Sequence, residues 1–199
     1  RLPLPKEVEI KKNIGIGAGE KFLLSVLHPV TENLTTMKSE ALSYFSALSE
    51  LNSKIIHIMP NNDVGHDIVN EQIKEFSFAK LSTFKNLSRG SYLWLLKNCA
   101  CIVGNSSSGI LEAPTYRTHA DNKGRRQHGR FQGHNVLNCE FEKNSILSTI
   151  AKATSKDFKK SLAALPNDPY GAGDSASKIT EVILKTVINR NLLVKELTI

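Results

Sequence analysis

Apolar positions along the chain come in two rhythms. Residues 22–27 form a short, nearly continuous apolar run that stops at His28-Pro29, the pattern of a strand buried on both faces. Met37, Ala41, Leu42, Phe45, Leu48 and Leu51 then recur at helical spacing and predict a helix over about 36–51. The alternation repeats with a strand over 54–59, closed by Pro60-Asn61-Asn62-Asp63, and a helix marked by Ile68, Val69, Ile73 and Phe76. A short strand near 79–81, a helix over 89–98 and a strand over 99–103 follow, and after Gly104 the stretch 107–112 begins another helix. Beyond a strand at 136–139, helices are expected over 143–154, 157–164 and 174–190. Strands that do not alternate between apolar and polar positions belong to a parallel sheet covered on both faces. The expectation is one α/β, Rossmann-like domain over 21–199, after a proline-bearing, weakly helical lead-in over 1–20.

Composition narrows the class. At 199 residues the chain can bury one substantial core, and 40% hydrophobic against 23% charged residues excludes a disordered or collagen-like chain. No apolar run approaches the roughly 20 residues that span a bilayer, and the first twelve residues lack the apolar centre of a signal peptide. A cytoplasmic chain with no membrane partner is the default. Cys99, Cys101 and Cys139 are odd in number, and two of them are separated by a single residue, so they read as buried free thiols rather than a disulfide or zinc framework.

The net charge of +7 is unevenly placed: 12 Lys/Arg against 10 Asp/Glu before residue 101, and 14 against 9 after it. Arg117, Lys123, Arg125, Arg126 and Arg130 crowd one stretch that holds a single acid, Asp121. Such a stretch suits the phosphates of a small ligand, although a solvated basic loop has the same composition. Nucleic acid is not expected, because aromatic stacking positions are not interleaved with the arginines.

The densest chemistry lies in Gly104-Asn105-Ser106-Ser107-Ser108-Gly109-Ile110-Leu111-Glu112-Ala113-Pro114. A strand leaves through a glycine, presents hydroxyls and free N–H groups, and enters a helix, an arrangement that favours phosphate. Glu112 lies a turn further on and suits a diol such as ribose. A serine-capped strand-to-helix turn has the same residues. Neither the P-loop nor the GxGxxG spacing is present. His28 ends the first strand, where it could donate to phosphate or move a proton. Asn62 or Asp63 ends the second on the same sheet edge. Arg126 and Arg130 offer guanidinium forks to phosphate oxygens.

Taken together, VGNSSSGILEAP at 103–114, RRQHGR at 125–130, HPVT at 28–31, PNNDVG at 60–65 and NDPYGAGDSASKI at 167–179 resemble the hydrolysing UDP-N-acetylglucosamine 2-epimerases. The resemblance implies one half of a GT-B fold, the C-terminal nucleotide-binding domain, with the N-terminal domain missing from this chain. By motif position, Ser106 and Ser107 would contact UDP phosphate and Glu112 the ribose. His28, Arg126 and Arg130 would line the phosphate and sugar side, with Asn62 nearby. His28 is the single catalytic candidate, because the family's main acid/base carboxylates come from the other domain. The family releases UDP from a UDP-sugar and yields N-acetylmannosamine or a related 2-epimerised sugar, in sialic or other nonulosonic acid pathways. It implies no metal and no nicotinamide or other cofactor. The partners implied are the UDP-sugar and the other domain, or a second copy of the chain.

One segment departs from the family pattern. Where members carry an apolar SFGVPTVNIG-type strand, this chain reads Thr115-Tyr116-Arg117-Thr118-His119-Ala120-Asp121-Asn122-Lys123-Gly124, and Arg125 replaces an aspartate. A charge on a buried strand face is costly unless paired, so this strand is expected to be frayed, exposed or absent. Two other readings stand beside the leading one: a non-catalytic remnant or interaction domain with a basic loop, and a GT-B glycosyltransferase donor domain.

Overall fold

The computed structural model describes residues 6–164, 170–171 and 173–194. Residues 167–169 and 172 of the glycine-bearing loop fall outside this set, as do residues 1–5 of the lead-in. The chain divides into two compact units, Arg1–Pro169 and Tyr170–Ile199.

In the first unit, strands β1 (Phe22–Val26), β2 (Lys54–Ile58), β3 (Leu81–Phe84), β4 (Ile102–Gly104), β5 (Ala120–Lys123) and β6 (Val136–Cys139) form one sheet in the order β3-β2-β1-β4-β5-β6. Every neighbouring pair is parallel. Helices α2 (Leu34–Ser49), α3 (His66–Glu75) and α6 (Lys143–Thr154) bury their apolar positions on one face, among them Met37, Phe45, Val69 and Ile146. On the other face α1 (Glu7–Ile14) and α4 (Arg89–Asn98) supply Ile10, Ile14, Trp94 and Leu95, and Trp94 stacks on Phe22 with ring centroids 6.4 Å apart. The segment read as a lead-in thus contributes a helix to the core. Helices α5 (Ser108–Leu111) and α7 (Lys156–Ala163) complete the unit. The expected class, a Rossmann-like parallel sheet with helices on both faces, is the one found.

The second unit consists of α8 (Ser175–Lys185) and α9 (Arg190–Leu193). The helix expected over 174–190 therefore ends early. Thr186 turns extended at ψ 118°, at the start of a Thr-Val-Ile run whose branched side chains are weak helix formers.

The largest correction concerns 115–125. Rather than fraying, this segment forms β5, paired to β4 on one side and β6 on the other, with all four residues buried. Asp121 and Lys123 stand two residues apart, so their side chains share a face. There they form an ion pair with both side chains fully buried. Lys123 Nζ also lies 2.8 Å from Cys139 Sγ, and that thiol reaches Asp121 Oδ1 at 3.5 Å. The pairing that a buried charge requires is met within the strand and by its neighbour. Arg117 stands where the resembled pattern has glycine and takes a left-handed conformation, φ 54°, which costs about 1–3 kcal/mol. Its guanidinium donates to the Ala163 carbonyl at 2.9 Å.

A second polar group crosses the same face. Tyr44 OH donates to the Val103 carbonyl at 3.0 Å, and Ser25 Oγ lies 2.7 Å from both Tyr44 OH and His57 Nδ1. With the phenol proton committed to Val103, Ser25 donates to Tyr44 and His57 donates from Nδ1 to Ser25. Nε2 of His57 is then a buried acceptor without a partner. Burial, and then the nearby His28, lower the His57 pKa to about 3. The neutral ring is thus the folded form. Between pH 6.5 and 3 the unfolded chain binds a proton that the folded chain refuses, so stability falls as pH falls through this window. Between pH 6.5 and 4, about 3 kcal/mol should be lost through His57. Urea denaturation across this range should show the loss in the native chain. A His57→Asn variant, which keeps a donor to Ser25, should show a flatter profile; an unchanged slope would contradict the assignment.

Candidate functional site

β1 sits between β2 and β4, so the strand order reverses there, and ligands of open parallel sheets bind beyond the carboxyl ends at such a point. The local backbone is built to bring the two strand ends together. Gly104 closes β4 with φ 131°, and a Cβ there would stand 1.9 Å from the Val26 carbonyl oxygen. Only glycine fits this approach. The next residue, Asn105, is fully buried and acts as a clamp. Its Oδ1 accepts from the His28 N–H at 2.8 Å, and its Nδ2 donates to the His28 carbonyl at 2.8 Å. Its own carbonyl accepts from Arg126 at 3.1 Å and from Gln127 Nε2 at 2.9 Å. One side chain and one carbonyl therefore tie the ends of β1 and β4 to the arginine turn.

The result is a cleft of about 400 Å³ lined by Pro29, Thr31, Glu32, Asp63, Ser107, Arg125, Arg126, Gln127 and Arg130, among others. Burial lowers the Arg126 pKa, with Arg130 acting in the same sense and Asp63 opposing. His28 is half-buried at the end of β1, and its Nδ1 accepts from the Asn61 N–H at 3.3 Å. That contact places its proton on Nε2. Burial first, and Arg126 second, lower its pKa to about 4 against the pull of Asp63 and Asn61. At neutral pH His28 is an uncharged donor, and the positive charge of the cleft is arginine.

The fold gathers Ser107, Arg126 and Arg130 on the cleft and sets His28 beside Asn61 and Arg126. Other predicted positions lie apart. Ser106 lines a small cavity under α5, and its Oγ accepts from the Ser108 N–H at 3.3 Å. Asn62 is exposed, and its neighbours Asn61 and Asp63 make the contacts at this edge. Glu112 forms an ion pair with Arg89 at the start of α4. Close by, burial pushes the pKa of the Tyr92 phenol up to about 12, with Ser108 and Ser106 opposing the rise. α5 is only four residues long before a 3-10 turn over Ala113–Tyr116. Its macrodipole is small, so attraction for an anion comes from the arginines. Asn105, Gln127, Arg89 and Tyr92 were missed by sequence reasoning. Asn105 stood in the motif, but nothing local marks an asparagine as a clamp on a strand 77 residues away.

A family model described as UDP-N-acetylglucosamine 2-epimerase matches residues 4–184. The chain belongs to this family. Its similarity to the UDP-N-acetylglucosamine 2-epimerase of Neisseria meningitidis serogroup B is 32% identity over 183 residues, covering 90% of this chain and 47% of that protein. A UDP-N,N'-diacetylbacillosamine 2-epimerase (hydrolyzing) of Legionella pneumophila is 29% identical over 174 residues, 87% of this chain and 45% of that one. The chain spans about half the length of the curated relatives it matches. Among solved structures, the Neisseria meningitidis UDP-GlcNAc 2-epimerase bound to UDP-GlcNAc superimposes with a TM-score of 0.71 at 14% identity, over 90% of this chain and 49% of the other. The S. aureus MnaA-UDP co-structure gives 0.65 at 13%, over 90% and 47%. These two likenesses establish the fold, a Rossmann-like half of a GT-B arrangement. Among the described residues no helix is long and apolar enough to cross a membrane.

Proposed function

We propose that this chain is the nucleotide-binding half of a UDP-N-acetylglucosamine 2-epimerase of the hydrolysing type, with the UDP diphosphate in the arginine cleft. The observation that carries this reading is the convergence of Arg125, Arg126, Arg130 and Ser107 on one cleft at the β1/β4 switch point. Arg126 is anchored through one nitrogen to the Asn105 carbonyl, which orients the rest of its fork toward the cleft. Three arginines of the basic stretch, Arg125, Arg126 and Arg130, are thereby gathered on a concavity, which favours a small phosphate ligand over a macromolecular partner.

The chemistry follows from charge. When the bond from sugar carbon 1 to the β-phosphate oxygen breaks, negative charge grows on the departing UDP, and fixed guanidinium groups stabilise it more than they stabilise the intact sugar nucleotide. His28, neutral with its proton on Nε2, contributes a hydrogen bond to a phosphate oxygen and does not act as a cationic acid. Glu112 would accept from the ribose hydroxyls, its carboxylate positioned by Arg89. The glycal-like product left after loss of the carbon-2 proton then adds water, giving N-acetylmannosamine or an analogous sugar. The acid/base carboxylates for those steps belong to the other half of the enzyme. The reading assigns the protein to the cytoplasm, in sialic or related nonulosonic acid synthesis.

Calorimetric titration with UDP tests it. Saturable 1:1 binding is expected, weakened about 10–100-fold by Arg126→Ala, since hydrogen bonds to charged groups contribute about 1.5–3 kcal/mol. Glu112→Ala should weaken UDP more than a ribose-free diphosphate. A folded chain that ignores UDP would refute the assignment, and release of the epimerised sugar by this chain alone would refute the dependence on a second half.

A further inference from the structure

We propose that Cys139 and Lys123 are a paired modification site, joined by a covalent sulfenamide bond when hydrogen peroxide oxidises the thiol. The two residues are register partners on adjacent parallel strands. Cys139 Sγ stands 2.8 Å from Lys123 Nζ and 3.5 Å from Asp121 Oδ1. The Lys123 and Asp121 side chains are fully buried, so the amine is held against the sulfur without water competing for the amine. Cys139 itself is half-buried on the last strand of the sheet and open to a small oxidant, whereas Cys101 is fully buried.

The reaction balances with groups already in place. The thiol reacts with one peroxide, sulfur losing two electrons to the peroxide oxygens, and yields a sulfenic acid and one water. Lys123 passes a proton to the Asp121 carboxylate, and the freed amine attacks the sulfur. The S–N bond forms as the S–O bond breaks, and the hydroxyl leaves with an amine proton as a second water. A buried ion pair is converted into a neutral sulfenamide beside a neutral carboxylic acid. No unpaired charge remains in the interior, and removal of two buried charges lowers the desolvation cost. The link ties the last residue of β5 to β6, immediately before Gly124 and the arginine turn.

The test is a peptide map of the whole chain after brief peroxide treatment, blocking of free thiols and digestion. The expected result is one pair of peptides joined through Lys123 and Cys139, lighter than their sum by two hydrogens (about 2 Da) and separated again by dithiothreitol. In Lys123→Arg the same treatment should leave a Cys139 sulfenic acid that dimedone traps. A dimedone adduct on Cys139 in the native chain without the cross-link would overturn the proposal. So would a disulfide from Cys139 to Cys99 or Cys101, or an unmodified Cys139. The native-chain map decides even where the variant fails to fold.

Discussion

Replacing Lys123 by methionine should lower stability by about 3–5 kcal/mol, although methionine is apolar and fills much of the same volume. The lysine side chain is fully buried in β5 and its ammonium neutralises Asp121. Without it the carboxylate is left inside the sheet, where burial already raises its pKa and Lys123 and Cys139 are the groups that oppose the rise. The double replacement Asp121→Val with Lys123→Met should recover most of the loss or exceed the native stability, because removing both charges removes both desolvation costs. Urea denaturation of the two single variants and the double measures the coupling directly. If the single Lys123 variant matched the native chain, the pair would not be the reason that this strand forms.

Asn105→Ala should produce the second large effect, and on two readouts. Its side chain satisfies both the N–H and the carbonyl of His28, each at 2.8 Å. Leaving two backbone groups without partners costs about 2–4 kcal/mol. The same change frees the end of β1 from β4, so His28 and the turn bonded to the Asn105 carbonyl lose their common reference. UDP affinity should fall even though Asn105 itself is not among the lining residues of the cleft. Asn105→Asp keeps the acceptor for the His28 N–H but turns a buried carboxylate oxygen toward the His28 carbonyl, and should lower stability at least as much as alanine. Equal UDP binding by all three proteins would remove the clamp from the binding argument.

Much of the fold is legible along the chain. The helix expected over 89–98 is α4, with Ser88 capping it through the Ser91 N–H. The strand expected over 136–139 is β6, and the helix expected over 143–154 is α6. Boundaries drift where the signal is weak. The strand expected near 79–81 runs over Leu81–Phe84, and the one expected over 99–103 is assigned to Ile102–Gly104. β5 is the strand that local patterning argues against, because Asp121 and Lys123 at buried positions violate the apolar pattern unless their mutual pairing is known. At the site, the arginine turn and the serine loop were visible as composition. Their separation into a cleft holding Ser107, Arg126 and Arg130 and a neighbouring Arg89–Glu112 pair was not.

The sequence alone determined the alternation of strand and helix, the parallel sheet and the motifs that mark the family. Those signals are local: hydrophobic periodicity, turn residues and a glycine at the end of a strand act within a few positions. The tertiary structure decided the contacts that bridge long stretches of chain. Asn105 reaches His28 across 77 residues, Arg126 reaches Asn105 across 21, and Lys123 meets Cys139 across 16. Whether a buried asparagine, lysine or aspartate is tolerated depends on the partner that the fold brings to it, because desolvation is charged to the residue and repaid only by its neighbours.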